Sequence, residues 1–252
     1  MTPPRPGPTG GDRLGRTLRL ELADATLREW DATVLDATPE RIVLDRSAFY
    51  PGGGGQPPDH GVLLWGGVQT RIVGARRADD LELIPAEGDP LPVPGAAVRG
   101  AIADERRTAL MRTHSALHLL SGVVFRDFAA LVTGSNMEPG EGRLDFNLDA
   151  VPEGFKEAVA ARCEQEVLAD RAISVYSLPR EQALAIPDII RTAKNLLPPA
   201  IEVVRIVDIN GLDVQADGGT HVASTAAIGR IEVVKVENKG KGFRRIRVRL
   251  RD

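Results

Sequence analysis

Two histidines stand four residues apart in the stretch Arg112-Thr-His-Ser-Ala-Leu-His118. The surrounding run, from Thr108 to Phe128, is apolar with helical spacing. Positions i and i+4 share one face of a helix, so His114 and His118 are expected to point the same way. Two imidazoles on one helix face can bind one metal ion. The alternative is a pair of ordinary packing or surface residues.

A second pair of possible ligands lies near the end of the chain, in Asp213-Val-Gln-Ala-Asp-Gly-Gly-Thr-His-Val222. Asp217 and His221 flank a Gly-Gly turn, which lets the backbone curl until both side chains converge. Together with the helical pair they would supply three imidazoles and one carboxylate, a set suited to Zn²⁺. The alternative is that Asp217 only caps a turn and His221 is a hydrogen-bonded polar residue. The remaining histidine, His60, is interpreted as a loop residue.

A run of four glycines, Gly52–Gly55, follows Phe49-Tyr-Pro51 and precedes Gln56. Without side chains, its N–H groups can approach a ligand closely or donate to a developing oxyanion. No Gly-Lys-Ser/Thr follows, and no G-x-G-x-x-G opens a helix here, so the run is not a nucleotide-phosphate loop. The alternative is a flexible hairpin connection.

Composition limits the classes of protein that fit. The chain has 252 residues, 42% of them hydrophobic, and a net charge of −3, which is ordinary for a globular protein. Any nucleic-acid contact must therefore use a local basic face. The single cysteine, Cys163, excludes an internal disulfide, and its place on a helical apolar stripe predicts a core residue. No apolar run suits a signal peptide or a membrane span, so we expect a cytoplasmic protein without a membrane partner.

The patterning predicts an α+β protein of three parts. Residues 1–16 are rich in proline and glycine and predict a disordered tail. Many short strands separated by turns predict a small β-barrel domain over residues 17–103. Residues 104–252 mix strands with helices at 108–128 and 153–170, which predicts an α+β domain with two main helices on an antiparallel sheet.

The stretches FYPGGGGQP, RTHSALHLL and DGGTHV, in this order, closely resemble the editing domain of alanyl-tRNA synthetases and its freestanding relatives, the AlaX proteins. Further matches are Gly134-Ser135, Gly142-Arg-Leu-Asp-Phe146 and Lys239-Gly-Lys-Gly-Phe-Arg-Arg-Ile246. The chain leaves no room for an aminoacylation domain or a tRNA-binding helical domain. It is therefore expected to be a stand-alone editing enzyme of the medium-length AlaX type.

The resemblance implies a trans-editing hydrolase that deacylates mischarged tRNA(Ala), chiefly tRNA(Ala) carrying serine. It assigns one Zn²⁺ to His114, His118 and His221. Where the familiar motif reads Cys-Gly-Gly-Thr-His, this chain has Asp217, a harder and less selective ligand than a thiolate. Asp217 either binds the metal directly, binds it through water or leaves an open position. The metal either activates a water or holds the substrate while a separate water attacks.

Several residues are candidates for the aminoacyl pocket. The amides of Gly53 and Gly54 are expected to line it, and Gln56 to orient water or a ribose hydroxyl. A site that hydrogen-bonds the serine hydroxyl would leave a buried polar group unpaired with alanine, and so spare the correct product. Ser47 is proposed for that role, with Thr113 and Thr220 as alternatives.

The C-terminal strand predicts a basic face, because arginines alternate with Ile246, Val248 and Leu250. Lys241, Arg244 and Arg245 are the candidate tRNA contacts, which would make affinity depend on salt. The alternative is an edge strand protected by charge. Two rival functions also remain open. One is a metal-dependent hydrolase of another aminoacyl-tRNA or a free ester, and the other is a non-catalytic tRNA-binding module with structural zinc.

Overall fold

The structure is a computed structural model that describes residues 13–194 and 197–251. Two compact units are present: one contains the chain up to Gly53 together with Pro57–Thr108, and the other contains Gly54–Gln56 together with Ala109–Asp252. The second unit thus takes in the end of the glycine-rich loop. The domain boundary expected after residue 103 stays a prediction.

The first unit is built around a closed six-stranded barrel, which confirms the predicted small β-barrel. Its strands follow the order β3-β4-β8-β7-β6-β9 around the barrel. The strands of this unit are β1 (Arg13–Leu14), β2 (Thr17–Arg19), β3 (Glu29–Thr38), β4 (Arg41–Leu44), β5 (Arg46–Ser47), β6 (Gly61–Trp65), β7 (Val68–Arg77), β8 (Leu81–Pro85) and β9 (Ala97–Ile102).

Alternating side chains of these strands fill the barrel. Trp30 and Phe49 pack edge to face at 5.2 Å between ring centroids, and the other buried members of their cluster are aliphatic. Gly100 lies against the Trp30 indole, where a Cβ would come within 2.4 Å of Cζ2. The glycine therefore makes room for the tryptophan ring.

The predicted tail is too long at its C-terminal end. Residues 1–12 lie outside the described residues, but Arg13–Leu14 pair with β2, and Arg16 forms an ion pair with Asp80 at 2.6 Å. Backbone pairing and this ion pair hold a segment whose composition indicated disorder. Apolar and polar residues alternate from Thr17 to Leu22, but only Thr17–Arg19 form a strand, because Leu20–Leu22 form a 3-10 helix.

The base of the glycine-rich loop is closed by two hydrogen bonds between Tyr50 and Asp59. Tyr50 N–H donates to Asp59 Oδ2 at 2.7 Å, and Asp59 N–H donates to Tyr50 O at 3.1 Å. Asp59 also forms an ion pair with Arg107, and both side chains are fully buried. Breaking a buried ion pair of this kind costs stability. Tyr50 and Asp59, on either side of the loop, are therefore held in place, and the loop is not a flexible connection.

The helix α1 (Asp104–Phe128) confirms the first main helix and begins one turn before the predicted start. Asp104 and Glu105 lie in its first turn, where negatively charged side chains interact favourably with the positive end of the helix dipole. Ala129 follows the helix with a positive φ of 54°. No helix within the described ranges is long and apolar enough to cross a membrane.

The second unit contains two antiparallel sheets, in the orders β10-β11-β16-β15 and β12-β13-β14. Together with the helices they confirm the predicted α+β arrangement. The remaining elements are β10 (Val132–Glu138), β11 (Glu141–Phe146), α2 (Phe155–Leu168), β12 (Ile173–Pro179), α3 (Arg180–Leu184), β13 (Val203–Ile209), β14 (Asp213–Ala216), β15 (Arg230–Asn238) and β16 (Arg244–Arg251).

Glycines let α1 pack closely on both sheets. A Cβ on Gly142 of β11 would lie 3.0 Å from the Leu117 side chain of α1. A Cβ on Gly122 of α1 would lie 2.8 Å from the Asp213 side chain of β14. The helix α2 packs on β15, and its Cys163 is fully buried, which confirms a core residue.

Two further strands lie near the predicted motifs. Val132–Glu138, which contains the motif residues Gly134 and Ser135, forms β10 and pairs with β11, and Asp213–Ala216, just before the turn from Asp217 to His221, pairs with β13. The interpretation of the C-terminal strand as an edge is wrong, because β16 lies between β11 and β15.

Candidate metal centre

Four possible metal ligands converge in the second unit. His114 and His118 come from α1, and Asp217 and His221 follow β14; one ligand atom from each lies within 4.8 Å of the others. Asp217 Oδ2 is 3.1 Å from His221 Nε2, while Oδ1 is 3.6 Å from His114 Nε2 and 3.8 Å from His118 Nε2. All three imidazoles therefore direct Nε2 toward the same carboxylate.

Local structure explains this convergence. One helical turn separates the two α1 histidines, whose ring centroids are 4.9 Å apart. After β14, Asp217 Oδ2 accepts the Gly219 N–H at 2.6 Å and so tightens the turn that brings back His221. Asp217 thus caps its own turn and also lies where it could bind a metal ion.

Hydrogen bonds hold the outer nitrogens of two of the rings. His114 Nδ1 lies 2.9 Å from Gln56 Oε1, and His221 Nδ1 lies 3.2 Å from Ser115 Oγ. His118 Nδ1 is buried without a hydrogen-bond partner among the described residues. Partners on the outer nitrogen orient an imidazole and favour the tautomer whose other nitrogen binds metal.

The end of the glycine-rich loop lies beside this cluster. A Cβ on Gly54 would be 3.7 Å from Asp217 Oδ1, and one on Gly55 would be 2.6 Å from Ser135 Oγ. Both glycines have positive φ values, 60° and 89°, which other residues rarely adopt. Backbone conformation therefore favours glycine at both positions, and the close approach to Ser135 leaves no space for a side chain at Gly55.

Burial and mutual contacts set the charges of three of these groups, namely His114, His221 and Asp217. Burial lowers the pKa of His114 well below its ordinary value and that of His221 to about 4. Burial alone would raise the pKa of Asp217, but its contacts with the three imidazoles outweigh burial and hold this pKa well below its ordinary value. His114 and His221 are thus neutral at pH 7 and the carboxylate is ionised.

This donor set fits a divalent cation. Metal binding requires deprotonated ligands, and two of the histidines together with Asp217 already meet that condition. A cation would also neutralise the carboxylate in a site whose histidine side chains are less than 10% exposed. The set contains no sulfur, so it suits Zn²⁺ and also harder divalent ions.

Other residues singled out in the sequence occupy distinct places. Thr113 is fully buried, and its hydroxyl donates to Ala109 O at 2.8 Å and accepts the Gly140 N–H at 2.9 Å. Ser47 is buried in the first unit, where its Oγ accepts the Phe49 N–H at 3.1 Å.

Gly53 also lies in the first unit, where its carbonyl accepts the Tyr50 hydroxyl hydrogen at 3.0 Å. Thr220 is buried in the second unit and accepts a hydrogen bond from Gln56 Nε2 at 2.9 Å. Among the alternatives for reading serine, Thr220 is thus the one bonded to a residue that contacts a ligand histidine.

The candidate tRNA contacts near the C-terminus differ in their partners. Arg245 forms a two-point ion pair with Asp145, with distances of 2.6 and 2.8 Å. Arg244 donates to backbone carbonyls, including that of Asp149. Lys241 is exposed on the turn between β15 and β16. The alternating arginines of β16 are also paired with carboxylates of neighbouring strands, namely Arg247 with Glu237, Arg249 with Glu141 and Arg251 with Glu232.

Sequence reasoning missed two residues near the cluster. Ser115 lies between the two helical histidines in sequence and contacts His221 across the site. Ser135 was noted only as part of a motif match, yet its Oγ lies 3.4 Å from Gly54 O. Ser115 directly follows His114, so the four-residue spacing that pairs His114 with His118 does not include it. Only the structure shows its contact with His221.

Comparison with known proteins gives a consistent set of relatives. The family described as threonyl and alanyl tRNA synthetase second additional domain matches residues 204–247. An alanyl-tRNA editing protein AlaX-M of Saccharolobus solfataricus is 38% identical over 91% of this chain and 97% of its own length. The AlaX-M protein of Methanosarcina mazei is 34% identical over 94% of this chain and 97% of its own length. An alanine–tRNA ligase of Thermofilum pendens is 35% identical over 87% of this chain, which matches only 24% of that enzyme.

Proposed function

The chain belongs to the family of alanyl-tRNA editing proteins, and from this premise we propose that it removes serine from mischarged tRNA(Ala) with one bound Zn²⁺. The observation that carries the proposal is the convergence of His114, His118, Asp217 and His221 beside Gly54. A cytoplasmic location, where charged tRNAs serve translation, is part of the proposal.

Hydrolysis of an aminoacyl ester requires a positioned water and donors for the oxyanion. A bound zinc ion would supply Lewis-acid polarisation and would lower the pKa of a coordinated water. The three histidines and Asp217 would hold it. We assign the oxyanion and aminoacyl contacts to the amides of Gly53 and Gly54, since glycine leaves those N–H groups open to close approach.

Discrimination against alanine requires a partner for the serine hydroxyl. Ser47 is proposed for this role, because its Oγ accepts one hydrogen bond and retains a hydrogen to donate. Thr113 is a weaker candidate, because its hydroxyl already donates to one backbone group and accepts from another. The variant Ser47→Ala should therefore lose selectivity for serine over alanine, and retention of full selectivity would remove the role.

Deacylation of a panel of tRNAs tests the proposal. The panel holds tRNA(Ala) charged with serine, glycine or alanine, together with the serine tRNA charged with serine. Rapid loss of serine from tRNA(Ala), with alanine retained, is expected. Turnover of another aminoacyl-tRNA would favour the broader hydrolase, and tight binding without turnover would favour a non-catalytic tRNA-binding module.

A further inference from the structure

Gln56 is the last residue of the glycine-rich loop and is almost fully buried, with 2% of its surface exposed. Both ends of its amide contact Thr220. Oε1 accepts the Thr220 N–H at 3.1 Å, and Nε2 donates to Thr220 Oγ1 at 2.9 Å. The same Oε1 lies 2.9 Å from His114 Nδ1. This geometry leaves little room for Gln56 to contact water or ribose, the role that its sequence position suggested.

The Thr220 contact determines which way round the Gln56 amide lies. A backbone N–H can only donate, so the amide atom that faces it must be the oxygen. An oxygen cannot donate, so His114 Nδ1 must carry the hydrogen in the contact with Gln56. His114 Nε2 then holds the lone pair, and it is this nitrogen that faces Asp217 at 3.6 Å.

The other two ligand histidines lack an equally definite partner on the outer nitrogen. His221 Nδ1 faces the hydroxyl of Ser115, a group that can donate or accept, while its Nε2 lies 3.1 Å from Asp217 Oδ2, which can only accept. His118 Nδ1 has no hydrogen-bond partner among the residues that the structure describes. Of the three rings, His114 is therefore the one whose outer partner fixes the hydrogen on Nδ1 and leaves the lone pair on Nε2.

Gly219 closes the other side of this arrangement. A Cβ at this position would lie 2.2 Å from His114 Cε1 and 2.8 Å from Gln56 Oε1. The backbone of the Asp217–His221 turn therefore packs directly on the His114–Gln56 contact. The turn therefore limits movement of the ring on the side that faces Gly219.

We propose that Gln56 is a positioning residue that holds His114 in the Nδ1–H tautomer. Through this contact the glycine-rich loop keeps the lone pair of His114 Nε2 available to the metal. The inference rests on the proposed metal site. It also links the loop to that site, since displacement of the loop would withdraw the partner of a ligand histidine. Loss of such a partner commonly costs about 10- to 100-fold in metal affinity.

The direct test is the tautomer of His114 in metal-free protein labelled with ¹⁵N-histidine. Long-range ¹H–¹⁵N spectra distinguish Nδ1–H from Nε2–H, and the chain has only four histidines to assign. Wild type and Gln56→Glu should both show Nδ1–H, because a carboxylate still accepts that hydrogen. Gln56→Met keeps the side-chain length but removes the acceptor, and should shift His114 toward Nε2–H, which can donate to Asp217.

Zinc affinity, measured by competition with a chelator, supplies the second readout. Gln56→Met should bind zinc about 10- to 100-fold more weakly, and Gln56→Glu should stay close to wild type. Gln165→Met, on the exposed side of α2, is the control for the substitution itself. A thermal unfolding curve confirms that each variant is folded before comparison.

The results distinguish failure of the positioning role of Gln56 from failure of the proposed function. An Nε2–H tautomer in the wild type, or an unchanged tautomer and zinc affinity in Gln56→Met, would overturn the positioning role even if the enzyme deacylates tRNA. Wild-type protein that shows the expected tautomer but hydrolyses no aminoacyl-tRNA would overturn the function and leave the positioning role intact.

Discussion

Asp217 is the residue at which the site departs from the cysteine of the familiar motif. Its carboxylate faces three imidazole nitrogens at 3.1 to 3.8 Å, so it lies where a fourth ligand would lie. The same carboxylate caps its own turn through the Gly219 N–H. A cysteine side chain is shorter and a weak hydrogen-bond acceptor, so aspartate gives the turn a support that a thiolate gives poorly.

Substitution at Asp217 tests its role as a ligand. Asp217→Asn should weaken zinc binding at least about tenfold, because the site loses its negative charge and its strongest oxygen donor. Asp217→Cys should raise the preference for zinc over manganese, because a thiolate is the softer ligand. Chelator competition with each metal measures both effects.

Asp170→Asn, on the surface after α2, is the control for loss of one carboxylate. Equal zinc affinity in wild type and Asp217→Asn would show that the carboxylate serves only the turn.

The buried histidines predict a pH dependence of stability in the metal-free protein. His221 has a folded-state pKa of about 4 against an ordinary value of 6.5. Between these values the unfolded chain binds more protons than the folded chain, so stability falls as pH falls through this window. His114 adds to the effect in the same direction, and Asp217 adds to it below about pH 4.

The expected loss from His221 alone is about 2 kcal/mol in the free energy of unfolding between about pH 7.5 and about pH 5. Urea unfolding at a series of pH values measures it. The variant His221→Gln, which removes one titrating group, should show a shallower dependence. A free energy that stays constant through this range would mean that the histidines are not held neutral by burial.

At the scale of elements, the site is assembled from one helix and one turn. Periodicity along the chain was enough to place His114 and His118 on one helix face, because i and i+4 geometry is local. The hairpin of β15 and β16, whose turn lies between Asn238 and Arg244, is also local, because its two strands follow each other in sequence. These parts depend on neighbours in sequence.

Other elements depend on partners far along the chain. The segment Val132–Glu138 contains Gly134 and Asn136, which disfavour a strand, and forms one through its pairing with β11. The contact of Gln56 with His114 joins residues 58 positions apart and leaves no trace in local pattern. Resemblance to a family gave the ligand set, but not the hydrogen bonds that orient it.

Gly219→Ala tests whether the turn must pack directly on the His114 ring. The new methyl group would overlap the imidazole, at 2.2 Å from Cε1, so either the ring or the turn must move. We expect zinc affinity to fall at least about tenfold while the barrel remains folded. Chelator competition measures the affinity, and circular dichroism follows the fold.

Gly74→Ala in β7 is the matched control, because a Cβ there meets only ordinary contacts at 3.9 Å. If Gly219→Ala bound zinc as tightly as the control variant, the close packing described around His114 would be wrong.

At the scale of the whole molecule, the proposed function requires a local basic surface, because the chain as a whole has a net charge of −3. The arginines of β16 face carboxylates on β11 and β15, so much of the positive charge seen in the sequence is paired within the sheet. Lys241 is exposed in the turn before β16, so fewer carboxylates compete with RNA phosphates for its charge. Lys241 is therefore the strongest of the three candidate tRNA contacts.

Lys241→Gln should reduce the dependence of tRNA affinity on salt, lowering the slope of log affinity against log salt by about 1. Arg245→Gln should instead cost stability, because it leaves Asp145 without its two-point ion pair. Binding titrations at several salt concentrations, with Lys156→Gln on α2 as control, measure the slope. An unchanged slope for Lys241→Gln would remove this residue from the tRNA contact.

We propose that the cluster of His114, His118, Asp217 and His221 is a working metal site for removing serine from tRNA(Ala). The most direct measurement is deacylation of Ser-tRNA(Ala) and Ala-tRNA(Ala) by the purified protein, before and after chelation, with zinc then restored. We predict loss of serine alone, abolished by the chelator and recovered with zinc. Deacylation of serine at full rate in chelated, metal-free protein would contradict the claim.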